Sequence, residues 1–217
     1  IGIGLQKSVY GADNARAVAL IPPLLGLHRG FYYSSGQGRY FDKGLISGSS
    51  LTAKERRVFS QVGFGRLLER GDIKFFYVNN MNPAVTLPDQ EALHRGLDRK
   101  DLFTVVHETH WTETARHADV VLPAQTYLEK DDLVPGYSHS YLTKSNGAVE
   151  PLGESRSETW ITVELARRLG LEEAWLYRDP WAVLEEVLGD QFIDGTFEDL
   201  MGGATLKLKT RSRSEYQ

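Results

Sequence analysis

Residues 102–123 read LFTVVHETHWTETARHADVVLP and hold two short apolar runs on either side of a polar stretch. Both runs, residues 102–106 and 120–122, are rich in β-branched side chains, which favour strands. Residues 112–117 between them have the composition of a short helix. A strand, a helix and a second strand in this order indicate a βαβ unit with parallel strands.

A third strand is predicted upstream, in the run IKFFYV at residues 73–78, and a helix is predicted at residues 88–95. The alternation predicts an α/β fold: three layers, α/β/α, with a mostly parallel, Rossmann-like sheet. In such sheets ligands bind beyond the carboxyl ends of the strands. The polar residues at those ends are Asn80, Asn82, His107, Glu108 and the segment 123–130.

The N-terminal part of the chain combines a helix with poorly patterned sequence. A glycine-punctuated turn, IGIGLQ, precedes a predicted helix with Asp13 as its N-cap, and Pro22 and Pro23 should kink or end this helix. Residues 28–52 are rich in Gly, Ser and Tyr and predict a long loop, and residues 53–70 have helical composition.

The C-terminal part is predicted to begin irregularly, over residues 131–158, and then to form helices at 160–169 and 180–188. Pro180 is tolerated in the first turn of a helix. We expect the α/β domain to span residues 1–200, with residues 201–217 as a linker.

Composition restricts the class of protein. The 217 residues carry a net charge of −4, which argues against a nucleic-acid-binding protein. No apolar run approaches the roughly 20 residues that cross a bilayer, which argues against direct membrane insertion. Cysteine is absent, so the chain itself offers no thiolate ligands for zinc or an iron–sulfur cluster.

Four stretches together carry a family resemblance: IGIGLQK, VNNMNP, FTVVHETHWTETARHADVVLPAQTYLEKDD and AVEPLGESRSETWITVELARRLG. They resemble the bis-molybdopterin guanine dinucleotide oxidoreductases, which include formate dehydrogenases, periplasmic nitrate reductases and dimethyl sulfoxide reductases. The resemblance covers most of residues 1–26 and 73–170 and is weak over 28–70. Each motif alone is weak, whereas the set is specific.

The resemblance implies that the chain is one of the domains that clasp the cofactor, whose metal is Mo or W. It also implies that the catalytic metal ligand and any iron–sulfur cluster lie upstream, and that a barrel-like domain follows. The expected partners are therefore the other domains of the parent chain and an iron–sulfur or other redox subunit. The piece alone is expected to be inactive, and the parent to be formate dehydrogenase-like.

Two charged residues are the central cofactor-binding candidates. Guanine presents two adjacent N–H donors, for which a carboxylate is the natural acceptor. By the resemblance, Glu108 takes the acidic guanine-contacting position and Lys130 the cofactor-contacting lysine position. The alternative for Glu108 is that it caps the helix near Thr112. Glu129 is a candidate partner of Lys130, and such a pair at the surface would contribute little.

Four further residues are implied to contact the guanosine part. Asn80 and Asn82 follow the first strand, although Asn before Pro is also a common turn former. Glu158 follows PLGESRS, although it also fits an acid in the first turn of a helix. His107 is expected to contact ribose or guanine, or else to be an ordinary histidine at a strand end.

The resemblance implies that the N-terminal loop lies near the pterin and the metal, so Gly4, Gln6 and Lys7 are candidates for pterin or phosphate contacts. Glycines there would let the backbone approach the cofactor closely. Asp119 is predicted to accept backbone hydrogen bonds, and Glu113 to begin a helix. No metal ligand is predicted, because His107 and His110 lack the spacing of a known zinc motif.

Two other functions remain as alternatives. The chain could be a non-catalytic electron-transfer scaffold that resembles the large subunit of respiratory complex I. The retention of Asn82, Glu108, Lys130 and Glu158 together favours a nucleotide site instead. An independent NAD-binding domain is the third alternative, but the chain lacks a strand–GxGxxG–helix fingerprint with its downstream acid.

Overall fold

A computed structural model describes residues 2–27, 43–51, 57–136, 139–189 and 191–209. Its centre is a parallel sheet of β1 (Phe75–Asn79), β2 (Phe103–Glu108) and β3 (Val120–Pro123), in that spatial order. The three carboxyl ends therefore lie at one edge. The α/β class and the parallel sheet predicted from the sequence are confirmed.

The remaining elements surround this sheet or form a second one. The second sheet is antiparallel and contains β4 (Asp132–Pro135), β5 (Tyr141–Ser145) and β6 (Leu206–Lys207). Short 3₁₀ turns lie at Gln61–Gly63 and Ala174–Tyr177. In chain order the described α-helices are α1 (Ile3–Gln6), α2 (Gly11–Leu24), α3 (Lys43–Ile46), α4 (Phe64–Arg70), α5 (Pro83–Thr86), α6 (Gln90–Leu97), α7 (Glu113–Arg116), α8 (Glu158–Arg168), α9 (Pro180–Leu188) and α10 (Phe197–Met201).

One hydrophobic core cluster lies where α4 and α6 cross. Leu68, Leu93 and Leu97 are buried there, and Leu102 joins the same cluster. Gly96 allows the close approach: a Cβ at this position would lie 2.9 Å from the backbone nitrogen of Glu69 and 2.6 Å from the Cβ of Leu68. Helices this close leave no room for a larger residue.

The second sheet shows that the prediction of irregular structure over residues 131–158 is wrong in part. β4 and β5 pair within that segment, and Leu142 of β5 is buried against Leu200, Leu206 and Leu208. The strands of this small sheet are short and mix apolar with polar residues, so they give a weak sequence signal. Residues 201–209 pack on it, while residues 210–217 of the predicted linker lie outside the described residues.

Helix ends are set by capping. α8 begins two residues earlier than predicted, because Ser157 Oγ accepts a hydrogen bond from the backbone of Trp160 at 3.2 Å. α9 has the predicted bounds. Asp13 was predicted as the N-cap of α2 but lies in its first turn, since the helix begins at Gly11.

The other N-terminal predictions are met in part. Pro22 and Pro23 lie in the last turn of α2, and the helix ends at the next residue, Leu24, as the two prolines predict. Of the predicted 28–52 loop, only residues 43–51 are described, and they include α3. In the predicted helical segment 53–70, residues 52–56 lie outside the described residues and the α-helix begins at Phe64. Across the described ranges, no helix has the length and apolar character required to span a membrane.

Candidate functional site

One chain segment crosses the carboxyl edge of the parallel sheet. The backbone N–H of Arg156 donates to the carbonyl of Pro123 at 3.0 Å, and the Arg156 carbonyl accepts from the N–H of Gln125 at 3.3 Å. His107 Nε2 lies 3.1 Å from the same carbonyl and donates to it. The segment is therefore held at the ends of β2 and β3, and α8 begins two residues later.

This crossing brings three predicted residues together. Glu158 Oε1 accepts from Asn80 Nδ2 at 2.8 Å, and both carboxylate oxygens accept from Lys130 Nζ at 2.9 Å. The side chains of Lys130 and Glu158 are 21% and 27% exposed. We call these residues the Asn80–Lys130–Glu158 cluster. Glu158 also lies in the first turn of α8, as its alternative role requires, and its contact with the guanosine part stays a prediction.

The turn after β1 holds Asn80 in an uncommon conformation. Its φ is +50°, which lies in the left-handed region, and its N–H donates to the His107 carbonyl at 3.3 Å. Asn tolerates this region better than most residues with a Cβ. Strained backbone of this kind concentrates at functional sites, which makes the end of β1 a candidate ligand contact.

The cluster holds Glu158 in its charged form. Burial raises the pKa of Glu158, but hydrogen bonds from Lys130, its own backbone and Asn80 outweigh this, and the net pKa is lowered. Burial, and then the negative charge of Glu158, raise the pKa of the nearby Tyr77. Glu158 and Lys130 therefore form an ion pair at neutral pH.

Glu129 has a different role from the one predicted. One of its oxygens accepts from the N–H of Thr126 and the other from the N–H of Leu152, both at 2.7 Å. These bonds lower the pKa of Glu129, the Thr126 bond most. The predicted pairing of Glu129 with Lys130 is therefore wrong: Glu129 closes a loop, and Lys130 pairs with Glu158.

Glu108 lines a groove of about 880 Å³ beside α7. Its Oε1 accepts from the N–H of Thr109 at 2.8 Å and from the Thr109 hydroxyl at 3.1 Å, whereas no bond is described for Oε2. Glu108 does not cap α7, because Thr112 does so through a 3.2 Å bond from the N–H of Ala115. The indole of Trp111 forms part of the wall and is 75% exposed.

The side chains of Asn82 and His107 form hydrogen bonds within the protein. Asn82 Oδ1 accepts from the N–H of Thr114 at 3.2 Å and from its hydroxyl at 2.7 Å, which joins the β1 turn to α7. His107 is fully buried, and its Nδ1 has no partner in the described part of the chain. The geometry favours the alternative of a strand-end histidine, which here holds the Arg156 segment.

The N-terminal candidates have no described contact with these groups. Gly4 is exposed on α1, with open space where a Cβ would be, and Lys7 is exposed at the end of that helix. The side chain of Gln6 lies outside the described residues. The packing described for α1 is against α2, so contacts of Gly4, Gln6 and Lys7 with a cofactor stay predictions.

Asp119 and Glu113 have the structural roles that the sequence predicts for them. Asp119 Oδ2 accepts from the N–H of Thr104 at 2.7 Å, and Glu113 is the first residue of α7. The sequence reasoning missed His94 and His117, whose rings meet between α6 and α7. Their separation of 23 residues matches no known motif, so only the fold brings them together.

Comparison with known proteins supplies the family. The family model described as "Molybdopterin oxidoreductase" matches residues 9–168. A relative from Bacillus subtilis, "Probable oxidoreductase YoaE", is 33% identical over 195 residues, which is 87% of this chain and 29% of that protein. The "Dimethyl sulfoxide/trimethylamine N-oxide reductase" of Rhodobacter capsulatus is 39% identical over 101 residues, covering 46% of this chain and 12% of that protein.

Two further similarities agree with this family. "Putative formate dehydrogenase SH0748" of Staphylococcus haemolyticus is 31% identical over 122 residues, covering 56% of this chain and 12% of that protein. The structure of "Acetylene Hydratase from Pelobacter acetylenicus" aligns with a TM-score of 0.51 and 27% identity over 63% of this chain and 18% of that one. The chain thus spans less than a third of these proteins. It belongs to the molybdopterin oxidoreductase family.

Proposed function

We propose that the carboxyl edge of β1–β3 binds the guanosine end of a molybdopterin guanine dinucleotide in a Mo or W oxidoreductase. The observation that carries this proposal is the Asn80–Lys130–Glu158 cluster, whose members come from three separate parts of the chain. The cluster lies where the rule for parallel sheets puts ligands.

The residues present fit the guanine base. Guanine offers two neighbouring N–H donors, and Glu108 faces its groove with an oxygen, Oε2, for which no bond is described. A charge-assisted hydrogen bond of this kind is worth about 1.5–3 kcal/mol. Adenine lacks this pair of adjacent donors, so the carboxylate of Glu108 selects guanine over adenine. The exposed face of Trp111 suits stacking of the base.

Lys130 supplies the positive charge of the site. An ammonium group has three N–H donors, and Glu158 takes two of them. The third is available for the guanine carbonyl or a diphosphate oxygen. Glu158 orients Lys130, Asn80 adds an amide, and His107 fixes the segment that carries Glu158.

The chemistry of the parent depends on parts outside this chain. When bound, the metal on the pterin dithiolenes supplies the electron transfer, and the residues described here hold the nucleotide. Any iron–sulfur cluster takes its cysteines from elsewhere, since this chain has none. We propose a formate dehydrogenase-like parent, which the Staphylococcus haemolyticus relative supports.

Calorimetry with GDP and ADP tests the base selectivity of the 217-residue chain. We expect weak but measurable GDP binding, with ADP weaker. Glu108→Gln should reduce GDP affinity by about tenfold, equivalent to about 1.4 kcal/mol, because the new amide donor opposes a guanine donor. ADP binding should not change. Glu172→Gln, an exposed acid elsewhere, is the control. Equal affinity for both nucleotides would contradict the proposal.

The full-length parent tests the identity of the cofactor. We expect Mo or W in the purified protein and a guanine nucleotide released on denaturation. The absence of both would favour the electron-transfer scaffold instead. Oxidation of formate, compared with reduction of dimethyl sulfoxide, then tests the formate dehydrogenase-like assignment separately.

A further inference from the structure

Two histidines face each other between α6 and the end of α7. His94 Nδ1 and His117 Nε2 lie 3.1 Å apart, and the rings meet edge to face with centroids 5.0 Å apart. Both side chains are partly buried. Neither residue belongs to the proposed guanosine site, so this pair requires a separate explanation.

The outer nitrogens of both rings donate to protein acceptors. His94 Nε2 lies 3.2 Å from the carbonyl of Ala84, and His117 Nδ1 lies 2.7 Å from Asp98 Oδ1. A carbonyl or an ionised carboxylate can only accept, so each outer nitrogen carries the hydrogen. In neutral rings the inner nitrogens, His94 Nδ1 and His117 Nε2, are then both lone pairs. Two lone pairs at 3.1 Å repel each other unless a proton or a metal ion lies between them.

A carboxylate completes the group. Glu113, the first residue of α7, places an oxygen such that it and one ring nitrogen from each histidine all lie within 4.8 Å of one another. Arg116 lies 3.5 Å from Glu113, but both side chains are largely exposed and such pairs are weak. Glu113 is therefore available as a ligand.

We propose that His94, His117 and Glu113 bind a divalent transition metal of the zinc class, with water as the fourth ligand. Zinc binds imidazole nitrogen at about 2.0–2.1 Å, so two tetrahedral ligands lie about 3.3 Å apart. The observed separation of 3.1 Å requires only a small opening. Metal-bound histidines commonly donate their other N–H to a carboxylate or a carbonyl, as Asp98 and Ala84 provide here.

The metal would join α6 to α7. Thr114 of α7 also bonds Asn82 in the β1 turn, so metal binding would stiffen one side of the proposed nucleotide groove. The metal site does not depend on the nucleotide proposal, because it shares no ligand with it. Failure of GDP binding would leave the metal site intact, and failure of metal binding would leave the GDP test intact.

Titration of the chelator-treated 217-residue chain with Zn²⁺ tests the site. We expect one Zn²⁺ per chain by calorimetry, an increase in melting temperature, and a tetrahedral visible spectrum when Co²⁺ replaces Zn²⁺. His94→Gln and His117→Gln should abolish this stoichiometric binding. Glu113→Gln should weaken it and alter the Co²⁺ spectrum. His139→Gln is the matched control, because His139 is exposed and lies outside the group.

The Asp98→Asn variant keeps the proposal testable even if the histidine variants do not fold. Asp98 is exposed, and its replacement leaves both ring ligands in place, yet it should weaken Zn²⁺ binding about 10–100-fold. Circular dichroism checks that each variant is folded. The proposal is overturned if the wild-type chain binds no Zn²⁺ at one equivalent, or if folded Asp98→Asn and Glu113→Gln variants bind as tightly as His139→Gln.

Discussion

The ion pair between Lys130 and Glu158 makes a quantitative prediction. Both carboxylate oxygens lie 2.9 Å from Nζ, and the side chains are only 21% and 27% exposed. Exposed pairs contribute about 0.2–1 kcal/mol, and removing one partner of a fully buried pair costs about 3–5 kcal/mol. Because solvent still screens this pair, we expect a coupling energy of about 1.5–2 kcal/mol, between those limits.

A double-mutant cycle measures this coupling. Lys130→Met keeps the apolar stem of the lysine, and Glu158→Gln keeps an oxygen that accepts from Asn80, so the cycle isolates the charges. Urea unfolding of the wild type, both single variants and the double variant gives the four free energies of unfolding. Each single change should cost about 2 kcal/mol, and the double change little more than either one.

A matched pair on the surface provides the control. Arg66 and Asp89 lie 2.8 Å apart and join two segments of the chain, but the arginine side chain is 77% exposed. The corresponding cycle, Arg66→Met with Asp89→Asn, should show coupling close to experimental error. If the Lys130–Glu158 coupling is no larger than this control, the pair is not held as the structure indicates and the nucleotide proposal loses its main support.

Two further predictions concern stability. Gly96→Ala should destabilise the protein by about 1–3 kcal/mol in urea unfolding, although alanine is the better helix former by about 1 kcal/mol. A neutral or stabilising result would contradict the close helix crossing. Hydrogen bonds from Lys74 and then Arg99 lower the pKa of Asp101 to about 2 from 3.8. The stability it contributes is present above its unfolded pKa and is lost as the pH falls through about 2. The difference in urea midpoint between wild type and Asp101→Asn should shrink as the pH falls from the unfolded pKa of Asp101 toward its folded pKa. A difference independent of pH would refute the lowered pKa of Asp101.

The parallel sheet was predictable because its strands are apolar. The residues at which the strands begin were not predictable. Ile73 and Leu102 were assigned to strands, whereas β1 begins at Phe75 and β2 at Phe103. Both residues contact the cluster under α4 and α6 before their strands pair. An apolar residue indicates that a position is buried, but not that its backbone pairs with another strand. The predicted strands therefore begin too early, at residues that pack in the core.

Site residues that belong to the family motifs could be predicted from the sequence. Contacts that depend on how the chain folds could not. Asn80, Lys130 and Glu158 were each proposed from the sequence, and they do meet. Nothing in the sequence indicates that Glu129 binds backbone donors. Likewise, nothing places His94 beside His117, because that contact depends on how two helices cross.

The hydrogen bonds at the base of the β4–β5 hairpin have a consequence for how this family can diverge. The carbonyl of Leu128 accepts from the N–H groups of Ala148 and Val149 at 2.7 and 3.1 Å, and Glu129 holds the N–H of Leu152. These hydrogen bonds join the two ends of the segment 131–147, so its base is fixed before the chain returns to the carboxyl edge of the parallel sheet. Doubling the length of a loop costs only about 0.6 kcal/mol. Evolution can thus lengthen the turn between β4 and β5 while Lys130 and Glu158 keep their geometry.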